Sequence, residues 1–117
     1  MSIREAILQC EDLPRKPLTI PEWNGVTLYV HTLSGEELSQ LQDAYARVPV
    51  KHRTACLAVF TTKDEEGNFA FQPGDVAELA KKSGRAVKAL GDLAIEMNHL
   101  SVEGTKELEK NSDSAPS

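Results

Sequence analysis

Aromatic side chains are scarce in this sequence, with one Trp, two Tyr and three Phe among 117 residues. A core built from it is therefore aliphatic, with Trp23 and the few Phe and Tyr rings as local anchors. Cysteine is scarcer still. Cys10 and Cys56 lie far apart in the chain, which favours buried free thiols over a bridge and argues against a disulfide scaffold. Positive charge is in deficit, with thirteen Lys and Arg against eighteen Asp and Glu and a net charge of -5. A duplex-nucleic-acid binder needs a basic surface to neutralise phosphates, so no nucleic-acid partner is expected. Apolar runs fall far short of a bilayer span, and Met1-Ser2-Ile3-Arg4-Glu5 lacks the apolar stretch of a signal peptide. No membrane partner is expected either, and the expected compartment is the cytoplasm.

Catalytic constellations are missing as well. His31, His52 and His99 fall on different predicted elements, and none stands at ligand spacing from another His, a Cys or an acid. Asp64-Glu65-Glu66 superficially suggests a calcium loop but lacks the alternating ligands and the closing glutamate. Gly25, Gly35, Gly67, Gly74 and Gly84 never gather into a phosphate cradle, and no serine occupies a nucleophile elbow. The expectation is a protein that is not an enzyme, with no catalytic, cofactor-binding or metal-binding residue.

What is present is organised around residues 72–100. Val87, Leu90, Leu93, Ala94 and Met97 recur at three- and four-residue spacing and form one stripe of a helix. Arg85, Lys88, Asp92 and Glu96 lie on its other face. Ser83 occupies the N-cap position, and Asn98-His99 the end. Just upstream, Pro73-Gly74-Asp75 opens a shorter apolar-periodic segment through Val76, Leu79 and Ala80. Neither stripe can be buried alone, so the rest of the domain must supply the opposing surface.

Taken from its start, the chain opens with a capping-box pattern, Ser2-Ile3-Arg4-Glu5, followed by Ile3, Ala6, Ile7 and Cys10 at helical spacing. The expectation is a short helix docked through that stripe, because so short a helix does not persist alone. From Lys16 the period becomes two. A hairpin is predicted, with strands at about 17–21 and 25–32 joined by Pro21-Glu22-Trp23-Asn24-Gly25. Trp23 reads either as a ring folded over the hairpin edge, which is preferred, or as a binding anchor. Ser34-Gly35-Glu36-Glu37 repeats the capping box and starts a helix through Leu38, Leu41, Tyr45 and Val48, ended by Pro49. Arg47, Lys51, His52 and Arg53 complement its negative end. Residues 55–62 are read as a strand, with Phe69-Ala70-Phe71 pairing back across the turn-forming tract 63–68; a helix over 51–60 is the alternative. The result is an α+β fold, a small antiparallel hairpin-based sheet packed against several amphipathic helices. It occupies residues 1–102 as one domain, and residues 103–117 have the composition of a polar, disordered tail.

In its order of elements the chain resembles the tail assembly chaperones of long-tailed bacteriophages. The likeness is carried by the capped opening helix, the proline and the Trp-bearing hairpin, and by Val26 to Leu33 leading into Ser34-Gly35-Glu36-Glu37. It continues through Asp64-Glu65-Glu66-Gly67-Asn68, Phe69-Ala70-Phe71, Asp75-Val76 and Leu79-Ala80-Lys81-Lys82-Ser83. It closes on Met97-Asn98-His99-Leu100-Ser101 and Glu109-Lys110-Asn111-Ser112. The chain departs from that pattern at Pro49 to Arg53, where a more continuous helix is expected.

The resemblance implies a chaperone that binds and solubilises the tape measure protein and helps recruit tail tube subunits without entering the finished tail. It would work in the cytoplasm of an infected or lysogenic bacterial host. Self-association is compatible with the role. Residues that could meet an apolar helical partner are Trp23, Leu38, Leu41, Tyr45, Val76 and Leu79, insofar as the fold leaves them uncovered. The family often makes a longer, frameshifted form that contacts tail tube subunits. Glu109-Lys110-Asn111 permits the slippery run A AAA AAC within GAA AAA AAC. The alternative is a small structural phage protein, a head–tail connector or tail completion component, retained in the particle.

Overall fold

The computed structural model describes residues 2–100 of the chain. The expected domain end at 102, the tail 103–117 and Glu109, Lys110 and Asn111 lie outside the described residues. Within them the architecture is α+β. In order come α1 (Ile3–Gln9), β1 (Arg15–Ile20), β2 (Val26–His31), α2 (Gly35–Arg47), α3 (Arg53–Thr61), β3 (Thr62–Lys63), α4 (Val76–Leu79) and α5 (Gly84–Met97). Short 3-10 turns occupy Pro21–Trp23, Val50–His52 and Pro73–Asp75.

The hairpin forms where the period-two pattern places it, in antiparallel register from Arg15 opposite His31 to Ile20 opposite Val26. Its tip needs left-handed backbone at Asn24 (φ 59) and Gly25 (φ 71), the conformation that Asn and Gly tolerate best. Thr19 and Thr27 hydroxyls meet across the strands at 3.0 Å. Ile20, Leu28 and Val30 turn inward and are buried. β3 adds only two residues to the far edge of β2, Thr62 opposite Val30 and Lys63 opposite Tyr29. The pairing back from Phe69 is likewise brief, a bridge to Lys63 and the Ala70 N–H donated to the Thr62 carbonyl at 3.1 Å.

The predicted strand over 55–62 is corrected to helix α3, with only Thr62–Lys63 extended. Ala55, Cys56, Leu57, Ala58, Val59 and Thr61 are all buried, so this helix has almost no solvent face. A helix enclosed on every side carries no polar stripe, and the 3.6-residue period is erased from its sequence. Thr61 accommodates burial by donating its hydroxyl to the Leu57 carbonyl at 2.6 Å. Burial also pushes the Cys56 thiol up to about 11. Arg53 leaves the expected basic cluster and lies buried over the Tyr45 ring, 5.1 Å from its centroid.

Two capped helices behave as read. In α2, Ser34 Oγ accepts the Glu37 N–H and Glu37 accepts the Ser34 N–H, a complete capping box. In α5, Ser83 Oγ accepts the Ala86 N–H, and the stripe turns inward with Val87, Leu90 and Ala94 buried and Leu93 and Met97 half-buried. Gly91 brings α5 close to α3: a Cβ there would stand 2.8 Å from Thr54 Cγ2. At the end of α5, Asn98 Oδ1 accepts the Leu33 N–H at 2.8 Å. Its Nδ2 donates to the Ala94 carbonyl at 3.0 Å and the His31 carbonyl at 3.3 Å.

The docking expected of the first helix is a second correction. Ser2 caps α1 by accepting the Glu5 N–H at 3.1 Å, yet every residue of α1 is exposed, including Ile3 at 81% and Ile7 at 62%. Cys10 is exposed too, so only Cys56 is a buried thiol. The core is built from the sheet and helices α2, α3, α4 and α5, and no residue of α1 joins it.

Candidate functional site

Of the six residues that sequence placed as partner contacts, the fold buries Leu41, Tyr45, Val76 and Leu79 and leaves Trp23 and Leu38 half-buried. It brings two of them together. Trp23, at the end of the 3-10 turn that closes the hairpin, and Leu79, at the end of α4, line one cleft of about 320 Å³ with Phe71, Asp75, Glu78 and Lys82. The Trp23 and Phe71 rings stand edge to face, with centroids 6.4 Å apart and planes at 73°. That arrangement suits the ring quadrupoles and keeps both faces from collapsing onto each other. Leu79, 5% exposed, is the floor and belongs to the core.

Local sequence sets the rest of the cleft. Phe71 directly precedes Gln72-Pro73, whose extended backbone at Gln72 (φ -98, ψ 154) is the geometry a following proline demands. Asp75 Oδ2 accepts the Gln72 N–H at 2.8 Å, fixing the carboxylate at the rim. Glu78 pairs with Lys81 at 3.7 Å, both side chains largely exposed. Asp75, Glu78, Leu79 and Lys82 follow at helical spacing, which turns one acidic-to-basic edge of the α4 region toward the cleft. Phe71, Asp75, Glu78 and Lys82 were not expected from the sequence as contact residues. The signal was present only in part, as an aromatic placed just before a proline that opens a turn.

A second exposed apolar surface is the α1 face, carrying Ile3, Ile7 and Leu8.

The buried polar chemistry lies elsewhere, at the junction of β2 with α2. His31, 3% exposed, donates its Nδ1–H to the Thr61 carbonyl at 2.7 Å, and its Nε2 stands 3.6 Å from Glu37 Oε2. The Phe69 ring covers it edge-on at 5.6 Å. Burial, then the nearby Lys63 ammonium, holds the imidazole below its ordinary value, so it is neutral near pH 7. For Glu37 burial opposes ionisation, but the Ser34 N–H and the facing His31 outweigh it and hold the carboxyl below its ordinary value. His31 is enclosed, while Glu37 keeps part of its side chain in contact with solvent. Among the described residues no group of three or more His, Cys, Asp and Glu could hold a metal ion, and no helix is long and apolar enough to cross a membrane.

No family model and no curated protein matches the chain. Among solved structures it is similar to the tail assembly chaperone of bacteriophage HK97, with a TM-score of 0.58 and 17% sequence identity, over 80% of this chain and 95% of that one. The two chains share a fold, and the shared part is nearly all of the phage protein.

Proposed function

We propose that this chain is a tail assembly chaperone of a long-tailed phage or prophage. In this reading it binds the tape measure protein, keeps it soluble until the tail is built, helps recruit tail tube subunits and is absent from the finished tail. It acts in the cytoplasm of the infected or lysogenic host. The observation that carries the proposal is the fold shared with the HK97 tail assembly chaperone across 95% of that protein. It is joined by the order of sequence motifs, from Ser34-Gly35-Glu36-Glu37 to Met97-Asn98-His99-Leu100-Ser101.

The physics of the surface supports it. A long amphipathic helix aggregates through its apolar stripe unless another apolar surface covers it. The chain offers two such surfaces, the Trp23–Phe71 cleft and the outward face of α1. Its net charge of -5 disfavours clumping of the coated assembly. Binding and release are all the role requires.

Co-expression with the tape measure protein is the test. The expected result is a large rise in the soluble fraction of that protein and its co-purification with this chain. Unchanged solubility refutes the proposal. Recovery of the chain in purified, finished particles would assign it instead to the structural class, as a connector or completion component.

A further inference from the structure

We propose that the cleft between Trp23, Phe71 and Leu79 is a socket for one bulky aliphatic side chain of a helical partner that carries lysine or arginine one turn away. The inference rests on the reading above, of an apolar helical partner, and adds the place and the chemistry of contact.

Size comes first. A volume of about 320 Å³ admits one or two side chains and excludes a whole helix, so the partner must lie across the opening and insert a knob. The walls are the two aromatic rings and the floor is Leu79, so the knob that gains most is a branched hydrocarbon. The rim then selects the neighbours of that knob. Asp75 lines the cleft and is held in place by the Gln72 N–H, which engages one of its two carboxylate oxygens. Glu78 pairs with Lys81 at 3.7 Å, and an exposed pair of that kind yields readily to a second cation. Two carboxylates thus flank one side, with Lys82 a turn further on. A cation beside the inserted residue meets Asp75 and Glu78. Charge also argues against a second copy as occupant, because two chains of net charge -5 repel as they approach.

Trp23 is the only tryptophan in the chain, so its emission reports occupancy of the cleft directly. The probe is a tryptophan-free, alanine-based helical peptide with a central Leu and a Lys four residues before and three after it. Two companions replace both Lys with Glu, or the Leu with Ala. The full chain should show a saturable blue shift with the first peptide at low ionic strength. Removing the leucine should weaken it by about tenfold or more, and the Glu peptide should bind about tenfold more weakly. Glu78→Lys, checked by thermal melting to fold like the parent chain, should weaken the Lys peptide by about two- to fivefold.

No shift at about 1 mM peptide, equal response to the Lys and Glu peptides, or indifference to the leucine would each overturn the assignment. So would a blue shift that grows with protein concentration alone, which would make a second copy the occupant. If the chain solubilises the tape measure protein yet ignores all three peptides, the socket alone is wrong. If it does neither, the functional reading beneath it falls as well.

Discussion

Replacing Gly91 by alanine should destabilise this fold even though alanine is the better helix former. Gly91 lies within α5, where the change alone would favour the helix by about 1 kcal/mol. The added methyl, however, would stand 2.8 Å from Thr54 Cγ2 on the first turn of α3 and 3.8 Å from the Thr54 carbonyl oxygen. Carbon atoms settle at about 3.5–4.0 Å, so roughly an ångström must be found. Thr54 is β-branched, and rotating the methyl away confines it to one of the two χ1 rotamers open to a helical threonine. Otherwise α3 and α5 must part, which loosens the fully buried Cys56, Ala58, Leu90 and Ala94. Overpacking of this kind costs about 1–3 kcal/mol and outweighs the propensity gain. The expected net loss of about 1 kcal/mol lowers the thermal midpoint by roughly 4–8 °C for a domain of this size. Urea and thermal unfolding should be measured for Gly91→Ala, Thr54→Ser and the double variant. Serine lacks the offending methyl, so in the Thr54→Ser background the alanine should stabilise by up to about 1 kcal/mol. An increase in stability from Gly91→Ala alone, or the same shift in both backgrounds, would refute the account of the α3–α5 seam.

Leu90→Ala, at a side chain with 0% exposure, should cost about 2–5 kcal/mol in urea unfolding; a loss under about 0.5 kcal/mol would place the core elsewhere. The lowered value of His31 means that the unfolded chain takes up a proton first as pH falls, so stability is full above 6.5 and declines below it. Glu37, also lowered, adds its own loss only at more acid pH, below 4.5. His31→Gln should flatten the first decline, and an unchanged pH profile would show that His31 is not the responding group. At the junction proposed for a frameshifted longer form, codons 109–111 should read GAA AAA AAC. A guanine in the third position of codon 109 or 110 removes that site.

Sequence legibility followed local determinants. The hairpin, the Ser34 and Ser83 caps and the α5 stripe were readable because each is dictated by neighbours within a few residues. Helix α3 was not, since Ala55 to Val59 are enclosed on all sides and leave no polar register to detect. The α1 stripe misled for the opposite reason. Amphipathic spacing states that a face is apolar, not that this fold covers it. Trp23 was visible as a candidate, whereas its cleft depends on Phe71, 48 positions away in the chain, brought against it by the segment between β3 and Pro73. Asn98 read only as a helix end; that one side chain would reach Leu33 and His31 follows from the tertiary path alone.

The Asn98 contacts have a mechanical consequence. One amide joins the last turn of α5 to both ends of the β2–α2 junction, through the carbonyls of Ala94 and His31 and the N–H of Leu33. Fraying that starts at Leu100 and passes the His99 and Leu100 amides therefore meets a cross-linked turn at Asn98, which a free helix end would not offer. Opening that turn breaks contacts to His31 and Leu33 as well as to Ala94, so it is felt at the end of β2 and at the entry to α2.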